Sequence, residues 1–188
     1  MSHFDSIRKS WPIDDSPLIP LPAAALEGVS IPAESTAFLL NVGLPRSSPP
    51  YLDFGPFPAS PLPRLSDLVA GVLPTSQFDR LAGLRVIGGD GSEAHICVAE
   101  SSGAVVLINV LEGAPSLLMN SSAMQLVQSL SAFNGLVDEV VGAHGVYRPS
   151  RVSDAQAVRL AEAIQAIDEP AIARGTFWRF IYGSLGQR

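Results

Sequence analysis

The sequence predicts an α+β fold: a mainly antiparallel sheet meander, packed by surrounding helices, in a single domain. Three observations lead there. Apolar runs at residues 84–87, 95–100 and 104–110, with a shorter one at 117–119, follow one another between clusters rich in Gly, Asp and Ser, the pattern of successive hairpin-linked strands. Directly after them Ala123, Leu126, Val127, Leu130, Phe133 and Val137 fall on one helical face. At 188 residues, 47% hydrophobic and 16% charged, the chain can bury one full core.

The first 22 residues read as a proline-containing arm, and 23–188 as the folded domain. Within the arm Phe4, Ile7 and Trp11 stand at roughly helical spacing and could pin a short helix to the body. A helix at 32–42 starts on Pro32, buries Phe38, Leu39 and Val42, and stops at Gly43 and Pro45. The next stretch is dense in proline, which excludes a central strand, so 51–54 reads as a short edge strand. Tyr51, Phe54 and Phe57 recur every third residue there. Rings of this size ordinarily plug a core, and that outweighs a recognition surface about three to one. Short helical cover is expected at 65–73 and one turn at 77–81.

In the meander, residues 88–91 and 101–103 read as tight turns. Ile96 and Val98 share one face of their strand, His95 and Cys97 the other. Val105, Val106, Leu107 and Ile108 are apolar on both faces, which predicts a central strand covered from both sides. The following helix opens on Ser122 with Gln125 three residues later, a capping-box pattern. Gly135 is placed to end or kink it. Asn120 is expected to bond to neighbouring backbone groups where strand meets helix. Ser153 with Gln156 repeats the cap for a helix carrying Ala157, Leu160, Ala161 and Ile164. Thr176 caps the last one, whose apolar face is Phe177, Trp178, Ile181 and Leu185.

The formal charge is −6, which argues against a nucleic-acid or anionic-membrane partner. No Lys or Arg lies between Arg85 and Arg148, an interval that holds Asp90, Glu93, Glu100, Glu112, Asp138 and Glu139. Those six acids equal the whole excess, so the acidity belongs to the meander and its helix. No apolar segment has the form of a signal peptide or a membrane span, which predicts a cytoplasmic protein. Cys97 is alone, so neither an intrachain disulfide nor a multi-cysteine metal site is available.

Catalytic patterns fail one by one. His3, His95 and His144 have no second ligand at metal spacing, and no Gly-x-Ser-x-Gly element is present. Gly88-Gly89-Asp90-Gly91 lacks the further glycine and the helix of a dinucleotide loop, so a hairpin turn outweighs it about nine to one. No catalytic residue, cofactor or metal is assigned, and a binding module is the expectation.

Several motifs together resemble a known family. Phe38-Leu39-Leu40-Asn41-Val42-Gly43-Leu44-Pro45, then Val86-Ile87-Gly88 with Asp90-Gly91, then Ser102-Gly103-Ala104-Val105 are similar to the SUKH superfamily. Asn120-Ser121-Ser122 opening a helix, and Ile167-Asp168 before Phe177-Trp178, resemble its fourth subgroup. The resemblance spans about 31–185. It implies an α+β fold and a bacterial immunity protein that binds and neutralises a cognate toxin of a polymorphic toxin system, commonly a nuclease or nucleic-acid deaminase. Distant relatives in that superfamily are regulatory proteins, so an intracellular regulatory or scaffolding domain is the second reading. A toxin gene beside this one would separate the two. Nucleic-acid-processing toxins present basic clefts, and the turn carrying Asp90 and Glu93 is the preferred contact, with Glu100 at the next turn as second choice.

Overall fold

The computed structural model describes residues 3–12, 16–57, 60–71, 78–110 and 116–186. Glu112, and part of the cover expected at 65–73 and 77–81, lie outside these residues.

The chain opens with α1 (His3–Ser10), β1 (Leu18–Ile19) and a 3-10 turn at Ala23–Leu26, then α2 (Ala33–Asn41). Three short strands follow: β2 (Leu44–Pro45), β3 (Ser47–Ser48) and β4 (Leu52–Phe54). Two single-turn helices, α3 (Leu65–Leu68) and α4 (Phe78–Leu81), precede the meander β5 (Leu84–Gly89), β6 (Ala94–Ala99), β7 (Val105–Asn109) and β8 (Ser116–Asn120). Three helices complete it: α5 (Ala123–His144), α6 (Asp154–Ile167) and α7 (Phe177–Ser184). The main sheet is antiparallel throughout, in the order β3-β4-β5-β6-β7-β8, and β1 pairs with β2 beside it.

Strand alternation decides which side each residue serves. Ile96 and Val98 of β6, Val105 of β7 and Met119 of β8 join the main core under α1, α2, α5, α6 and α7. Cys97, Ile108 and Val110 face the other way, onto Leu65, Val69 and Leu81 from the proline-rich stretch and α4. The sheet is therefore covered on both sides, as the apolar run in β7 predicts. Two details differ. The middle of the sheet is β5 and β6 rather than β7, because only β8 lies beyond β7. The fully buried positions of β7 are Val105 and Ile108, whereas Val106 and Leu107 keep partial exposure.

The first described part of the arm, α1, packs onto the body. Ile7 is buried, and the Phe4 ring meets Phe38 edge-on at 5.8 Å. β4 is not an edge strand, since β3 adds outside it. Close approach of β4 to β5 requires Gly88: a Cβ there would lie 2.3 Å from the Asp53 carbonyl oxygen and 3.0 Å from the Phe54 ring. Gly135 does not end α5, which runs on to a left-handed Gly145 whose N–H donates to the Val141 carbonyl. A glycine inside a helix costs about 1 kcal/mol against alanine. Each large side chain of the stripe from Leu126 to Val140 returns about 1.5–3 kcal/mol on burial, so the stripe decides.

Candidate protein-binding site

The end of the sheet that carries the β5–β6 turn is where exposed apolar and acidic groups meet. That turn is built locally. The Asp90 carboxylate accepts from the Ser92 N–H at 3.0 Å and the Ser92 hydroxyl at 2.6 Å, and Gly91 takes a positive φ of 74°. Asp90 is thus held in place, and Glu93 beside it is exposed.

Two depressions adjoin there. The first, about 730 Å³, lies between the β3–β4 turn and the C-terminal end of α5, with Pro49, Pro50, Tyr51, Val137 and Tyr147 in its wall. Its charged lining residues are Asp53 and Asp90. The second, about 560 Å³, lies between the sheet and α7. Leu107, Leu117, Phe177 and Phe180 line it, and it shares Pro50, Leu52 and Asp90 with the first. On the rims stand Tyr51, 84% exposed, and Phe180, 69% exposed. Rings of that size are ordinarily buried, and partly apolar hollows with few convergent polar groups are where binding concentrates.

Of the acids that the sequence singles out, Asp90 and Glu93 sit together at this end of the sheet. Glu100 does not join them. It follows the far end of β6, about 23 Å away along the strand at roughly 3.3 Å per residue. Its carboxylate accepts from Arg85 Nε at 2.8 Å, and Arg85, itself buried, also donates to the Leu62 carbonyl at 2.9 Å. Glu100 thereby neutralises a cation between β5 and the proline-rich cover. Cys97 is fully buried, and desolvation pushes its thiol up to about 12, which leaves it protonated and unreactive at neutral pH. Among the described residues no group of three or more His, Cys, Asp or Glu is placed to hold a metal ion, and no helix is long and apolar enough to cross a membrane.

Asp53 and Phe180 are residues that the sequence reading passes over, and Tyr51 is one that it assigns to the core. Phe54 is buried and Phe57 half-buried, as the core reading of the aromatic triplet expects, but Tyr51 is the exception. It follows Pro49-Pro50 in a turn, and that context was the available signal. Phe180 falls off the stripe made by Phe177, Trp178, Ile181 and Leu185, which left it facing outward.

Behind the second depression lies a buried polar network. The Asn120 amide donates to the Ser129 hydroxyl and to Asp168, both at 3.0 Å, and its carbonyl accepts from the Trp178 indole at 2.9 Å. Asp168 also accepts from the Ser121 N–H at 2.6 Å and the Ser121 hydroxyl at 2.8 Å. Asn120 therefore bonds to distant side chains rather than to neighbouring backbone, because β8 ends inside the core, where local carbonyls are taken up by the sheet and α5. The network ties β8, α5, the bend after α6 and α7 together, and so fixes the helix that carries Phe177 and Phe180.

The family motifs fall on this frame. Asn120-Ser121-Ser122 forms the junction of β8 and α5, while Asp168 and Trp178 close the network around it. No curated protein and no solved structure matches the chain. A family model described as SUKH-4 immunity protein matches residues 16–182, from before β1 to the last turns of α7. With nearly the whole fold inside that match, the chain belongs to the SUKH-4 immunity protein family.

Proposed function

We propose that this protein neutralises a toxin protein by binding it one to one and covering a basic, nucleic-acid-processing cleft, without cofactor or turnover. Membership of an immunity protein family supports a protein partner. The observation that carries the finer reading is the joined pair of depressions, whose charged lining is acidic and whose rims bear Tyr51 and Phe180. Exposed aromatic residues beside hollows supply most of the energy in protein interfaces, and charges around them set the rate of encounter. Asp90 and Glu93 project at the same end and extend the acidic field toward a positively charged partner. Glu100, paired with Arg85, holds strand and cover together and adds little to that field.

The test is association with the toxin domain whose gene neighbours this one, followed by stopped flow across ionic strengths. Reversing both charges, Asp90→Lys with Glu93→Lys, should slow association by roughly tenfold or more at low salt and flatten the salt dependence. Circular dichroism should stay unchanged, because both side chains reach solvent at a turn. Equal rates for the two proteins at every ionic strength would put the acidic turn outside the interface.

A further inference from the structure

The β3–β4 turn holds a feature that packing does not explain. Tyr51 has φ 71°, and every other positive-φ residue among those described is glycine. A bulky side chain in that region is strained. Core burial does not compensate for it, since the ring is 84% exposed. The backbone thus holds an aromatic ring out over the 730 Å³ depression at a local cost that glycine would avoid.

The opposite wall is fixed. Tyr147 is half-buried and meets Phe133 edge-on at 6.0 Å. Burial, and secondarily the nearby Tyr51 phenol, push its hydroxyl pKa up, so the Tyr147 ring stays neutral at physiological pH. Two carboxylates complete the hollow. Asp53 pairs across the ladder with Gly89, the residue before Asp90, and both aspartates line the hollow. The Asp90 carboxylate is partly occupied by Ser92, whereas the Asp53 carboxylate has no hydrogen-bond or ion-pair partner among the described residues. No basic residue lines the depression.

Two phenol rings with two carboxylates suit a cation that is flat and apolar on its faces and rich in donors at its edge. A guanidinium fits that description better than an ammonium, since it stacks on aromatic faces and bonds carboxylates through its fork. We propose that this hollow is the receptor for an arginine side chain of the partner, with Tyr51 and Tyr147 as its aromatic walls and Asp53 and Asp90 as its acceptors. The proposal rests on the neutralising reading above and names the chemistry that the partner must present.

The probe is N-acetyl-arginine amide, titrated into isotopically labelled full-length protein and followed by NMR, with N-acetyl-citrulline amide as the uncharged analogue of the same shape. Arginine should give saturating shifts confined to Tyr51, Tyr147, Asp53, Asp90 and their neighbours, and citrulline should bind at least tenfold more weakly. Tyr51→Gly should weaken arginine binding severalfold without lowering the melting midpoint, because glycine accepts the left-handed turn. Asp53→Asn, which keeps the shape and removes the charge, should weaken it as well. Equal shifts with citrulline, shifts scattered over the surface, or full arginine binding by Tyr51→Gly would each overturn the assignment. Failure of the two readings is distinguishable. Neutralisation of the toxin by a protein that ignores the arginine probe removes the receptor and leaves the immunity function. Arginine binding by a protein that ignores the toxin does the reverse.

Discussion

Aspartate in place of Val105 should leave the protein unfolded at 25 °C. Val105 is fully buried on the side of β7 that packs under the large helices, with Ile96, Val98 and Met119 in the same cluster. Among the described residues the one buried cation along that line of the sheet, Arg85 opposite Val98, is already held by Glu100. Burying an unpaired charge costs several kcal/mol, against a total stability of about 5–15 kcal/mol for a domain of ordinary stability. Val106→Asp should behave differently. Val106 keeps partial exposure and packs on the smaller cluster with Cys97 and Ile108, so its carboxylate can reach water. A lowered but cooperative melt is the expected result there. Circular dichroism on both variants reads the difference, and a near-wild-type melt for Val105→Asp would mean that β7 is placed the wrong way round.

The second large effect belongs to Asp168. Its carboxylate is 3% exposed and accepts from the Asn120 amide and from the backbone N–H and hydroxyl of Ser121. Asp168→Ala strands those donors, and the two on half-buried Ser121 have no other acceptor in the network. Losses of this kind run to about 1–3 kcal/mol for each donor left without its acceptor away from water. Asn120→Ala should cost a similar amount by orphaning the Trp178 indole and freeing part of Asp168. The double variant should lose much less than the two together, since residues in one network do not act independently. Urea denaturation of the four proteins measures the coupling. Additive losses would mean that the network is an accident of proximity.

Sequence reasoning reached what depends on local chemistry and failed where the contact is distant. The four meander strands are short apolar runs between turn residues, and the caps of α5 and α6 lie within three residues of their helices, so both could be read from short windows. Ser153 and Gln156 form the full reciprocal box, while Ser122 accepts from the Gln125 N–H. The Asn120–Trp178 bond joins residues 58 apart, and Asn120–Asp168 joins residues 48 apart. No periodicity announces a pair like that. Arg85 shows the same limit: it reads as the last base before an acidic stretch and proves to be a buried cation held by Glu100. At the candidate site the acids of the β5–β6 turn were legible, because a glycine-rich turn is exposed by construction. Its aromatic half was not. Tyr51 and Phe54 have the same kind of ring three residues apart, and only the path of the Pro49-Pro50 turn sends one to solvent and the other inward.

The proposed stoichiometric occlusion is tested most directly by titrating the purified protein into a fixed amount of a nucleic-acid-processing toxin domain encoded beside its gene and following that domain's activity on its substrate. A tight one-to-one blocker gives a linear loss that reaches zero at one molecule per toxin, with activity returning when the complex is dissociated and the two chains are separated. Complete inactivation by a small fraction of an equivalent, or full toxin activity at several equivalents, would contradict the account.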